Sequence, residues 1–389
     1  MGDRKPAADL IHHPYQPPDG FASPVQAVYK GSSVFAPNVA ALKRTRWADR
    51  DAYTYGLHGT PTTFALEARL ATLEGARHVL LAPSGLAALN LVNQTFLKSG
   101  DQLLIPDNVY GPSRASARHE LANWGIAHAV YDPLDAADLR AKLSPATRLV
   151  WLEAAGSVTL EFPDLTGLIA ATREAAPQAV IALDNTWGAG LAFDAFELGV
   201  DLTLHALTKY PSGGGDVLMG SVATRDAALF ERLAAAHGRS GLGVGGNDVE
   251  LVLRNLPTLP LRYAAQDAAA RQIALWAREH PAVTQVLHPA LPDAPGHAHW
   301  AAHCRAAAGL LSLVFAEGTP VARIEAVVDA LKVFRIGWSW GGPVSLAVPY
   351  ELSQIRSLQR RQGCVLRLAI GLEEPELLID DLRQALARF

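Results

Sequence analysis

Lys209 is the only lysine between Lys142 and Lys332, and it stands in "LTLHALTKYPSGGGD", where an apolar run meets three glycines. An amine at the end of a buried strand is partly desolvated. Burial disfavours the ammonium form, and that is how a lysine becomes a nucleophile towards carbonyls. The glycines follow the lysine instead of preceding it, so a Walker A phosphate loop does not describe the stretch. An ordinary surface lysine at a strand end is the competing explanation.

Three further stretches have the same form, a short apolar run that ends in polar residues. Asp184 closes "VIALDN", and a carboxylate buried there needs a cation or serves as an Asx-turn or helix cap. "PSGLAALN" reads as a strand end followed by a helix N-terminus, whose free N–H groups attract anions, with Ser84 an equally ordinary N-cap. Tyr110, in "NVYGPS", could offer its ring to a planar ligand. Together an anion nest, an aromatic platform, a buried acid and a desolvated amine are the four groups that pyridoxal phosphate requires.

The elements that must place these groups follow from periodicity. "TFALEARLATLEG" reads as a helix ending on Gly75, "HVLLAP" as a strand and "GLAALNLVNQTFL" as the next helix. The alternation continues through "DQLLIP", "HAVYDP", "TRLVWLEAA", "AVIALDN" and "DLTLHAL", each separated from the next by a helical stretch or a turn. Such alternation predicts an α/β fold built on a mostly parallel sheet covered by helices, with ligands at the carboxyl ends of its strands. Residues 1–58, with Pro14, Pro17, Pro18, Pro24 and Pro37, suit an extended arm contacting a neighbouring subunit. Residues 59–247 form the expected large domain, and residues 248–389 a smaller α+β domain.

Composition removes other classes. A formal net charge of −4 over 389 residues, with no basic or acidic block, leaves no footprint for nucleic acid or a membrane surface. Cys304 and Cys364 have no metal-ligand spacing, and no metal is expected. The polar, proline-rich start lacks a secretory apolar core, Pro6 breaks the myristoylation pattern after Met1-Gly2, and a cytoplasmic protein is expected.

The stretches "YGLHGTPT", "ALDNTWGAG", "HALTKYPSGGGDVLMG", "SWGGPVSL" and "LRLAIGLEE" resemble the cysteine and methionine metabolism family of fold type I pyridoxal phosphate enzymes, from about Pro24 to Phe389. The resemblance implies that Lys209 holds the cofactor covalently and later shuttles protons between the substrate Cα and the leaving group. It implies that Asp184 pairs with the pyridine nitrogen, that Tyr110 stacks on the ring, and that Gly85, Leu86 and Thr208 hold the phosphate. Arg367 would clamp the substrate carboxylate, with Ser339 and Trp340 lining the same end of the pocket. Tyr55 would reach the phosphate of a neighbouring subunit in a homotetramer, a dimer of dimers. The family usually carries an arginine two residues after that tyrosine; here Leu57 replaces it, and His58 is the neighbouring candidate donor.

The implied reaction is a carbon–sulfur β-elimination that converts L-cystathionine to homocysteine, pyruvate and ammonia, a branch favoured by "WSWGG" at 338–342. Broader cysteine-conjugate lyase or desulfhydrase activity and γ-lyase or γ-synthase chemistry are the alternatives. A non-catalytic regulator of the same fold would be expected to lose the lysine or the carboxylate clamp, and Lys209, Asp184 and Arg367 all stand.

Overall fold

The computed structural model describes residues 6–14, 18–44, 52–358, 363–387 and 389. Met1 to Lys5, Pro17 and residues 45–51 of the expected arm lie outside the described residues.

The first sheet contains β1 (His78–Ala82), β2 (Gln102–Pro106), β3 (Ala127–Tyr131), β4 (Thr147–Glu153), β5 (Val180–Asp184), β6 (Leu202–Ala206) and β7 (Gly220–Thr224), in the order β1-β7-β6-β5-β4-β2-β3. Only β7 runs against its neighbours, inserted between β1 and β6. The parallel strands are apolar on both sides because both faces are covered. Leu149, Trp151, Val180, Ala182, Leu202 and Leu204 pack towards the helix Gly85–Phe96. Their alternating partners Val150, Leu152, Ile181 and Leu183 pack against Leu66, Leu70 and Leu73 of the helix Pro61–Glu74. This period of two assigns each strand-end side chain to a face.

A second sheet contains β8 (Gln285–Leu287), β9 (Leu310–Val314), β10 (Arg335–Ile336), β11 (Leu346–Glu351) and β12 (Cys364–Ala369), in the order β10-β11-β12-β9-β8. Leu366 and Leu368 face the helices Leu259–Arg278, Val321–Ala330 and Pro375–Leu386. Arg367, between them, points the other way, as does Val365, which packs on Val158 from the loop after β4. Ser312, the register partner of Arg367, donates its hydroxyl to the Val158 carbonyl at 2.6 Å. The second sheet therefore presents a cation to the carboxyl-end loops of the first.

Among the described residues no helix is long and apolar enough to cross a membrane, and no cluster of three or more His, Cys, Asp or Glu could hold a metal ion.

Candidate active site

The helix Gly85–Phe96 starts against the ends of β6 and β7. A Cβ on Gly85 would lie 2.7 Å from the Ala206 Cβ, and one on Gly220 would lie 2.4 Å from the Ser84 carbonyl oxygen. Both approaches require glycine. Ser84 caps the helix by accepting the Ala87 N–H at 3.0 Å, so the ordinary cap reading holds. The N–H groups of Gly85 and Leu86 lie in the first turn, where a helix has no acceptor of its own, and are available to an anion. Thr208 accepts the Met219 N–H at 3.1 Å and donates to the Met219 carbonyl at 3.3 Å. That long neutral bond is weaker than a charge-assisted one to a phosphate oxygen.

Asp184 ends β5 on the side of that helix. Its Oδ1 accepts the Thr186 N–H at 3.0 Å and the Thr186 hydroxyl at 2.5 Å, which is the Asx-turn expected of an aspartate at a strand end. Oδ2 has no hydrogen bond among the described residues. Burial raises the carboxyl above its ordinary range, opposed by the Thr186 bonds, His205 and Lys209. A protonated ring nitrogen placed at Oδ2 would reverse that rise.

Lys209 follows β6, and its Nζ donates to Ser339 Oγ at 2.6 Å and lies 5.6 Å from the centre of the Trp340 ring. Burial and the Arg367 charge lower the amine from 10.5 to about 8, against the pull of Asp184. The main chain of Ser339 is held at φ +91°, a conformation that favours glycine, and its carbonyl accepts Arg367 Nη2 at 3.2 Å. Arg367 is 7% exposed, its Nε has no partner, and no ion pair joins it to a carboxylate among the described residues. A guanidinium buried without an anion is costly and is pre-set for a planar carboxylate. Its centre lies 5.4 Å from the ring of Tyr350 on β11, a residue that sequence reading missed because its pairing with β12 is long-range.

Tyr110 begins the helix Gly111–Ser116 and is 45% exposed. Burial of its hydroxyl and the nearby Asp184 and Glu153 raise the phenol. Two more groups escaped sequence reading. Glu153 ends β4 opposite Asp184, and the strand-end rule that selected Asp184 would have found it. His205 of β6 is buried with its Nε2 2.7 Å from Glu74 Oε1, an ion-pair contact that falls outside aligned hydrogen-bond geometry. Burial pushes His205 down and Glu74 overrides it, so its titration point is raised.

The structure thus brings together Gly85, Leu86, Tyr110, Asp184, Thr208, Lys209, Ser339, Trp340 and Arg367 at the sheet ends. Tyr55 is not among them within one chain: it forms an isolated bridge to Ser33 and is 47% exposed. Leu57 packs beside Gly243, where an added Cβ would lie 3.0 Å from its Cδ1. His58 Nδ1 bonds the Thr54 hydroxyl at 2.9 Å.

A glycine-walled helix start, a half-bonded acid, a poised amine and an unpaired guanidinium fit pyridoxal phosphate and an amino acid, and they define a pyridoxal-phosphate-dependent enzyme. The model of the Cys/Met metabolism PLP-dependent enzymes matches residues 7–387, and the chain belongs to that family. It is 36% identical to the cystathionine beta-lyase of Bordetella avium, with 97% of each chain covered. It is 34% identical to that of Salmonella typhimurium, with 93% of each covered. The crystal structure of cystathionine gamma-lyase from Lactobacillus plantarum complexed with L-serine superposes with a TM-score of 0.88 at 25% identity, covering 99% of each chain.

Proposed function

We propose that this enzyme is a carbon–sulfur β-lyase that cleaves L-cystathionine, with one water consumed, to homocysteine, pyruvate and ammonia. The observation that carries the reading is Ser339, which joins the Lys209 amine to the unpaired Arg367 guanidinium. An α-amino acid presents a carboxylate for Arg367 and an adjacent Cα–H for Lys209, and the Bordetella and Salmonella relatives are cystathionine beta-lyases.

Bound pyridoxal phosphate supplies an aldehyde for amines and a protonated ring that draws electrons from the bonds at Cα. Lys209 would hold it and, once the substrate amine has displaced it, would accept the Cα proton as the free base and return one to the departing sulfur. Asp184 keeps the ring nitrogen protonated, Tyr110 covers the ring, and Gly85, Leu86 and Thr208 bind the phosphate. Arg367 holds the α-carboxylate, which fixes the orientation of the Cα–H towards Lys209. Ser339 and Trp340 close that end of the pocket. We place the cofactor unit at residues 59–247 and the substrate-clamping unit at residues 248–389, in a cytoplasmic enzyme.

The arm fits assembly as a homotetramer. Phe21, Val25, Phe35, Val39 and Leu42 are exposed, Phe35 at 96%, and apolar residues gathered on one segment mark an interface. Tyr55 would then complete the phosphate site of a second subunit.

Supplying L-cystathionine and measuring both keto acids tests the reading. Pyruvate is expected; α-ketobutyrate alone would overturn it in favour of γ-elimination, the second reading, which the likeness to the Lactobacillus plantarum γ-lyase supports.

A further inference from the structure

Glu153 and Asp184 are register partners at the ends of β4 and β5. The alternation of Leu149 and Trp151 turns Glu153 to the face that also carries Asp184. Glu153 is 7% exposed, and its Oε2 accepts the main-chain N–H of Tyr110 at 2.7 Å. The Tyr110 side chain makes no capping bond of its own. That N–H has a single proton to give, so Glu153 fixes the peptide from which the ring projects. Oε1 has no hydrogen bond among the described residues.

We propose that Glu153 is a positioning residue that holds Tyr110 over the cofactor ring beside Asp184. The inference rests on the roles given above to Tyr110 and Asp184. The charged and titratable groups that face Glu153 are Asp184 on β5, Tyr131 on β3, Tyr110 itself, Arg114 on the helix Gly111–Ser116, and Glu161 and Arg356 on flanking loops. Burial, then Asp184, push its carboxyl well above the ordinary range, against the Tyr110 N–H and Arg356. The bond to the Tyr110 N–H needs only an acceptor oxygen at Oε2.

A glutamine offers a carbonyl oxygen in the same place, so Glu153→Gln should match the wild type. Glu153→Leu leaves the Tyr110 N–H without its acceptor and should raise the pyridoxal phosphate dissociation constant about tenfold. Both are measured by fluorescence titration of cofactor-stripped full-length protein. In a Tyr110→Ala background the leucine effect should vanish, because both changes act through one ring. A merely structural role would give additive losses, and that result overturns the proposal. So would Glu153→Gln behaving as badly as Glu153→Leu, or Glu153→Leu binding cofactor as the wild type does. Should Glu153→Leu fail to fold, Glu153→Asp, whose carboxyl falls one methylene short, enters the same cycle with the same outcomes. A wild-type protein that takes up no pyridoxal phosphate would overturn the functional reading itself, and is told apart by the unmutated control.

Discussion

The Lys209 amine is held at about 8, first by burial and then by the guanidinium of Arg367, with Asp184 opposing both. Only the unprotonated amine attacks an aldehyde, so capture of pyridoxal phosphate by the stripped enzyme should accelerate as pH rises through about 8. Arg367→Leu removes a like charge, and the midpoint should move up. Stopped-flow absorbance reads both, and a midpoint unchanged by the substitution would separate Arg367 from the amine. Lys209→Ala should show no covalent cofactor absorbance and no elimination. At position 57 a leucine stands where the family resemblance leads one to expect an arginine, and Leu57→Arg should slow loss of cofactor on dialysis several-fold, the worth of one charge-assisted contact. Equal loss from both proteins would show that the position does not face a phosphate. Asp184 shows what one residue type can conceal: the turn and the cofactor acid are both legible in "ALDNT", and the structure gives the turn to Oδ1 while leaving Oδ2 open.

At the scale of elements, the helix Pro61–Glu74 delivers a carboxylate to the buried His205 of β6. Burial pushes Glu74 up, but His205 and the bonds from Thr203 and Asn185 bring it below 4.5. Its depressed titration contributes stability above 4.5 that is lost on acidification. The raised titration of His205 contributes fully below 6.5 and is lost as pH rises through its folded value. The pair is therefore strongest between those limits. Glu74→Gln leaves a buried imidazole without its counter-charge and should cost about 3–5 kcal/mol in urea denaturation of the stripped protein. The parallel strands were legible because each is a short apolar run between turn signals. β7, "GSVAT", was not, since its small residues carry little periodicity and its place between β1 and β6 depends on pairing across the chain. β11 was obscured by Pro349, a residue that argues against a strand interior. The candidate site was readable wherever a strand end named its own residue, a rule that also reaches Glu153; Tyr350 became visible only once the pairing of β11 with β12 brought its ring to Arg367.

For the whole molecule, the exposed apolar side chains of the arm predict an assembly that Phe35→Ser should weaken. Light scattering across a dilution series would show the mass falling at higher protein concentration than for the wild type; identical curves would remove the arm from the interface. The two sheets contribute unequal charges to the site: the first supplies the amine of Lys209, the second the unpaired guanidinium of Arg367, and Ser339 touches both. A carboxylate that neutralises Arg367 removes one of the causes that keep Lys209 acidic. With the proposed roles, arrival of the substrate would make its own base stronger at the moment a proton must be accepted. Linkage requires the converse, that Arg367 bind a carboxylate more tightly when Lys209 is protonated than when it is neutral. Acetate, which has the carboxylate and nothing to eliminate, should shift the capture midpoint of the stripped enzyme upward from about 8.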